Sequence, residues 1–138
     1  MTTAQAKPGP VQVTGEVLGL RRVGEYQVLT LTAPGIPEAT RPGHFVALAV
    51  GGPSSSMLLR RAFSIHNVQS RGVYGGTVEI VVSAVGAGTR WIVARQPHDP
   101  VDVVGPLGKA FPLPTEPVPC VLVGGGYGVA PFSFLGAE

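Results

Sequence analysis

Residues 77–93 read TVEIVVSAVGAGTRWIV, and the pattern changes its period halfway through. Val78, Ile80 and Val82 alternate with Thr77, Glu79 and Ser83, so one face of this stretch is apolar at the two-residue spacing of a β-strand with one side in a core. Directly behind it Gly86 and Gly88 bracket a turn, Thr89 can cap a helix that opens there, and Pro97 closes it again. A strand therefore hands over to one short helix through a glycine turn.

The same strand period extends upstream. VQVTGEVLGLRRV (11–23) and EYQVLTLTA (25–33), separated at Gly24, predict a β-hairpin. The breaker-rich loop APGIPEATRPG (33–43) leads to a third strand at 44–50 (HFVALAV), and after GGPSSS a fourth is expected in MLLRRAFSIHNV (57–68). The strand at 77–85 is then the fifth and VDVVGPLG (101–108) the sixth. The chain holds 20 glycines and 14 prolines in 138 residues with only 13% charge, so it turns often between short apolar stretches. The expected class is all-β, a six-stranded antiparallel barrel carrying one short helix.

The ends differ in kind. Residues 1–10 lack apolar periodicity and predict a loose tail. The barrel is expected over 11–115, and PLPTEPVP (112–119) is a connector, with a domain boundary near residue 116. Residues 116–138 then contain an apolar run (CVLV), a glycine turn (GGGYG) and the start of a helix, the front of a βαβ unit. Only 15 residues run from Gly124 to Glu138, against ~30 or more for a full unit, so the expectation is an incomplete first βα unit of a Rossmann-like nucleotide-binding domain. Phe132, Phe134 and Leu135 would lack a sheet to cover them, which predicts mobility or association after residue 124.

Composition excludes several classes. The net charge is +2 and the basic residues are dispersed except at Arg21–Arg22 and Arg60–Arg61, which is no nucleic-acid stripe. One cysteine, Cys120, rules out an internal disulfide and the four thiolates of an iron–sulfur cluster, and is read as a small buried apolar residue. There is no run of ~18 apolar residues and no signal-peptide pattern at the N-terminus, so no membrane span and a cytoplasmic setting are expected. The three histidines have no paired ligand spacing and no metal site is expected; His66 is read as structural.

Three segments carry candidate chemistry. Arg61, Phe63 and Ser64 lie within four residues, and on a strand Arg61 and Phe63 share a face that can offer a guanidinium to an anionic pyrophosphate and an aromatic ring to a flat heterocycle. The structural alternative is a solubilising arginine pair with Phe63 in the core. Gly86–Ala87–Gly88–Thr89 opens a helix whose first amides are unpaired, a setting that attracts phosphate, or else is an ordinary glycine turn and cap. Gly124, Gly125, Gly126 and Gly128 follow an apolar run like the glycine turn of dinucleotide-binding folds, without forming a strict G-x-G-x-x-G, and can equally be a packing turn.

The order of these segments, with LLRRAFSIHNV, VGAGTRWI, VDVVGPLGKAFPLP and VLVGGGYGVAP spread over about residues 11–135, resembles ferredoxin-NADP reductase-like flavoproteins, most closely the electron-transfer subunits of NAD-dependent bacterial dihydroorotate dehydrogenases. The resemblance implies a Greek-key FAD-binding barrel. It places Arg61, Phe63 and Ser64 in the family's Arg-x-aromatic-Ser signature for FAD, with Ala62 standing where proline is common and so keeping a backbone donor. It also sets Val81, Val82 and Ser83 along the adenine-side half of the cofactor, Gly88 and Thr89 at its pyrophosphate, and Gly124 to Gly128 at a nicotinamide cofactor. By the same likeness, a complete protein passes electrons from an FMN-containing dihydroorotate dehydrogenase catalytic subunit through a two-iron two-sulfur centre and FAD to NAD in pyrimidine biosynthesis. The rival expectations are another reductase of the same superfamily and a flavin-free β-barrel interaction module.

Overall fold

The computed structural model of the chain describes residues 9–137. Among these, β1 (Val11–Val23), β2 (Tyr26–Thr32), β3 (Phe45–Leu48), β4 (Arg61–Gln69), β5 (Thr77–Val82) and β6 (Pro100–Leu107) close into a barrel in the order β1-β2-β5-β4-β3-β6, with every pairing antiparallel. Strands β3, β4 and β5 are successive neighbours and β6 returns beside β3, which is the Greek-key path. Helix α1 (Ala87–Val93) bridges β5 to β6, and a second short helix, α2 (Phe132–Leu135), lies near the C-terminus. The tail expected over residues 1–10 lies outside the described residues except for Gly9 and Pro10.

Alternation decides what goes inside. Val78, Ile80 and Val82 of β5 are each fully buried, and the register carries one layer of the core across four strands: Leu20 opposite Leu29, Leu29 opposite Ile80, and Ile80 opposite Ile65. The β1–β2 hairpin turns at Gly24, whose φ of +60° is a conformation that glycine adopts without penalty. No helix among the described residues is long and apolar enough to cross a membrane.

Four expectations need correction. The fourth strand starts at Arg61 rather than near residue 57, because Leu58 and Leu59 stand in solvent, 88% and 77% exposed, while only Met57 of that run packs on the core. The apolar run before the glycine turn does not form a strand: Val121 and Val123 are 87% and 86% exposed, and no described strand lies alongside to satisfy their backbone groups. For the same reason Cys120 is exposed rather than buried, its thiol directed at the Val118 carbonyl. Phe132, Phe134 and Leu135, expected to be uncovered, are half-buried, since α2 rests against β4.

His44, at the entrance to β3, accepts a hydrogen bond at Nδ1 from the Arg41 amide, 3.0 Å away. Burial, and secondarily the Arg41 charge, holds its pKa below the ordinary 6.5. The folded state therefore binds a proton here less readily than the unfolded chain, so His44 lowers stability as pH falls below about 6.5 towards the folded-state value. A His44→Gln variant is expected to show a shallower loss of stability between pH 7 and pH 5 in denaturant titrations. An identical slope would remove His44 as the cause.

Candidate functional site

Arg61 opens β4 and Arg60 stands just before it, and the two arginines that stand together in the sequence take separate partners. Arg60 turns towards β6, with Nη2 2.6 Å from Asp102 Oδ1 and Nη1 3.3 and 3.4 Å from the Asp102 and Ala47 carbonyls. The close contact to Oδ1 lies outside hydrogen-bond geometry, so the attraction there is one of charge. Arg61 has no carboxylate within ion-pair distance among the described residues; its Nη1 donates to the Leu59 carbonyl. Its guanidinium lies over Gly88, where an added Cβ would fall 2.6 Å from Nε and 3.0 Å from Cζ.

Gly88 is buried in the first turn of α1, and the absence of a side chain is what lets the guanidinium settle on the backbone. The helix is held by Ile92, which enters the barrel core, and by Trp91, which packs on that core with the Arg95 guanidinium 4.0 Å from its ring centre. The Thr89 hydroxyl accepts from the Val85 and Gly86 amides, each at 2.9 Å, and donates to the Gly86 carbonyl. Of the two roles open to Thr89 in the sequence, the hydroxyl takes the cap. The first-turn amides still have no carbonyl one turn before them.

This geometry makes Gly88→Ala informative. Alanine favours a helix over glycine by roughly 1 kcal/mol, and the atom it meets belongs to a long flexible side chain, so stability should hold or rise. Affinity for a phosphate-bearing ligand should nevertheless fall by up to about tenfold, because the guanidinium is displaced. Calorimetric titration beside a thermal melt reads both; a loss of stability with unchanged affinity would contradict the arrangement.

The outer face of β4 and β5 forms a groove. Phe63 turns inward and packs on the core, while Ala62 and Ser64 face out. On β5, Val82 lies wholly in the core, so only Val81 of that pair presents its side chain outward, with Ser83 half-buried just beyond the strand. A hollow of about 280 Å³ is lined by Ala62, Phe63, Ser64, Val81, Tyr127 and Ala130. A second, of about 220 Å³, continues over Arg21, Tyr26, Val28 and His66 and shares Val81, Tyr127 and Ala130 with the first.

The glycine turn therefore lies across the barrel. Gly126–Val129 forms a single 3-10 turn, Gly126 has φ +56°, and a Cβ at Gly124 would fall 2.8 Å from the Phe132 ring. Tyr127 meets Tyr26 edge-to-face with ring centres 5.3 Å apart, and His66 Nδ1 bonds the Ala130 carbonyl. Gly124, Gly125, Gly126 and Gly128 are all exposed. Sequence reasoning did not single out Tyr26 or Tyr127 and read His66 as merely structural. The one local signal was an aromatic inside a glycine turn, and its partners lie far away in the chain. Among the described residues no group of three or more His, Cys, Asp or Glu side chains gathers as a metal site.

No protein-family model matches the chain. It is 40% identical over 112 residues to the dihydroorotate dehydrogenase B (NAD(+)) electron transfer subunit of Geobacillus kaustophilus, a match that takes in 80% of this chain and 42% of that protein. The chain thus spans about two-fifths of the length of that relative. In fold it matches the ferredoxin reductase of carbazole 1,9a-dioxygenase, with a TM-score of 0.73 and 21% identity over 91% of this chain and 38% of the other. It also matches a ferredoxin NADP+ reductase from Neisseria gonorrhoeae with bound FAD and NADP, with a TM-score of 0.60 and 18% identity over 97% of this chain and 52% of the other. The closed six-stranded barrel with this strand order is thus the fold of these ferredoxin reductases, and over 80% of its length the chain is similar in sequence to a dihydroorotate dehydrogenase B electron transfer subunit.

Proposed function

We propose that this chain binds FAD on the outer face of β4 and β5 and serves as the flavin-holding part of an electron-transfer component. The observation that carries the reading is the Arg61 guanidinium, unpaired with any described carboxylate and seated on buried Gly88, on the strand whose Ser64 lines the outer groove with Val81. A guanidinium with no counter-charge among the described residues is a ready partner for a diphosphate, and the bare backbone at Gly88 allows that anion close approach.

The residues present fit the cofactor. Arg61 neutralises the pyrophosphate, and the α1 first-turn amides add donors beside it. Ser64 offers a hydroxyl at the ring edge, and Val81 gives the ring an apolar floor. The flavin, when bound, supplies the electron chemistry, and the protein supplies orientation and an environment. Val82, wholly in the core, contributes backbone alone.

The wider assignment belongs to the same proposal. It comprises a cytoplasmic setting, a dihydroorotate dehydrogenase catalytic subunit carrying FMN as electron donor, NAD as acceptor, and the glycine turn as the beginning of the NAD-binding unit. With one cysteine, these 138 residues do not supply the ligands of a two-iron two-sulfur centre. The test is titration of the purified chain with FAD, followed by flavin absorbance after desalting. Retained flavin at one per chain is expected; a chain that retains none is a β-barrel interaction module instead.

A further inference from the structure

Two hollows run along the outer face of β4, β5 and β2, and Tyr127 stands between them, lining both. One wall of the larger hollow is the sheet surface of Ala62, Ser64 and Val81; the facing wall is Tyr127 with Ala130. The segment carrying Tyr127 is fixed at two points. Its ring meets Tyr26 edge-to-face, and the Ala130 carbonyl takes a hydrogen bond from His66 Nδ1. A carbonyl only accepts, so that contact puts the His66 proton on Nδ1. Ala130 is 7% exposed and Pro131 is buried, whereas Tyr127 keeps 46% of its surface open.

A segment held through the Tyr127 ring and again at Ala130, with nearly half of the Tyr127 surface left open, holds that aromatic ready for a flat partner. We propose that Tyr127 is a positioning residue that forms the second wall of a slot for the FAD ring, with Gly126–Pro131 clamped onto the barrel through Tyr26 and His66. The proposal rests on the FAD reading above and adds to it which side chain covers the ring. Gly126 and Gly128, on either side of Tyr127, then let the segment bring an aromatic ring close to the sheet.

The test uses the whole chain loaded with FAD. A phenol stacked on a flavin quenches its fluorescence by electron transfer to the excited ring, whereas a phenyl ring stacks but does not donate. Tyr127→Ala should raise the emission of bound FAD and raise Kd about two- to tenfold, the loss of one aromatic pair. Tyr127→Phe should raise emission while keeping Kd within about twofold of the parent. Tyr127 lies outside the barrel core, so far-UV circular dichroism should be unchanged in both variants. Unchanged emission in both would overturn the slot, and tighter binding by Tyr127→Ala would overturn it too, by making the segment an obstruction. A parent chain that takes up no FAD removes the functional reading itself, and this inference with it.

Discussion

Arg61→Ala should weaken FAD binding about ten- to a hundredfold, the loss expected when one charge-assisted hydrogen-bond partner worth ~1.5–3 kcal/mol is removed. The size of the effect follows from what Arg61 lacks. It has no described carboxylate to which its charge is already committed, so a diphosphate gains nearly the whole interaction. Arg60 is the internal control. Its charge is matched by Asp102 at 2.6 Å, so Arg60→Ala should leave affinity in place and lower stability by breaking the tie from the segment before β4 to β6. Calorimetric titration of both variants separates the roles. Equal affinity in the parent and Arg61→Ala would take Arg61 out of the site, and a loss with Arg60→Ala instead would mean that the two faces are exchanged.

Ile80→Ala should destabilise the chain by about 2–5 kcal/mol, a fall in Tm of roughly 8 °C or more. Ile80 is fully buried at the middle of the layer that joins β1, β2, β5 and β4, with Leu29 and Ile65 as its cross-strand partners. A closed barrel collapses poorly onto a void, because its strands are tied on both sides by ladder hydrogen bonds and cannot move inward independently. Ile80→Val is the graded comparison, with a cost of about 0.5–1.5 kcal/mol. Val81→Ala, one residue on and facing outward, should cost much less in stability and show its effect on ligand binding. Urea denaturation of the three variants gives the ranking; a cost for Ile80→Ala no larger than that of Val81→Ala would contradict the register.

Most of the fold was legible in the chain because strands with one buried face announce themselves locally. The period of two in 77–82, the hairpin at Gly24 and the glycine-led helix at Ala87–Val93 all stand where the sequence put them. The reading failed where an apolar run was taken as sufficient. Met57–Leu59 and Cys120–Val123 are apolar enough for strands, but a strand also needs a neighbour to satisfy its backbone, and neither run has one among the described residues. Of the residues the sequence singled out, Ser64 and Val81 line the outer hollow and Arg61 rests on buried Gly88, whereas Val82 is sealed in the core; Tyr127 was not singled out, and His66, read as structural, holds the Ala130 carbonyl.

By itself the sequence determined the barrel's strands, their inward faces and the turn that opens α1, since each depends on residues within a few positions of one another. Only the tertiary structure decided which of two adjacent arginines meets a carboxylate among the described residues, that the other rests on Gly88, and that Tyr127 returns over the sheet to face Ser64 and Val81. Those outcomes depend on barrel closure and on packing between segments far apart in the chain, and local periodicity carries no information about either.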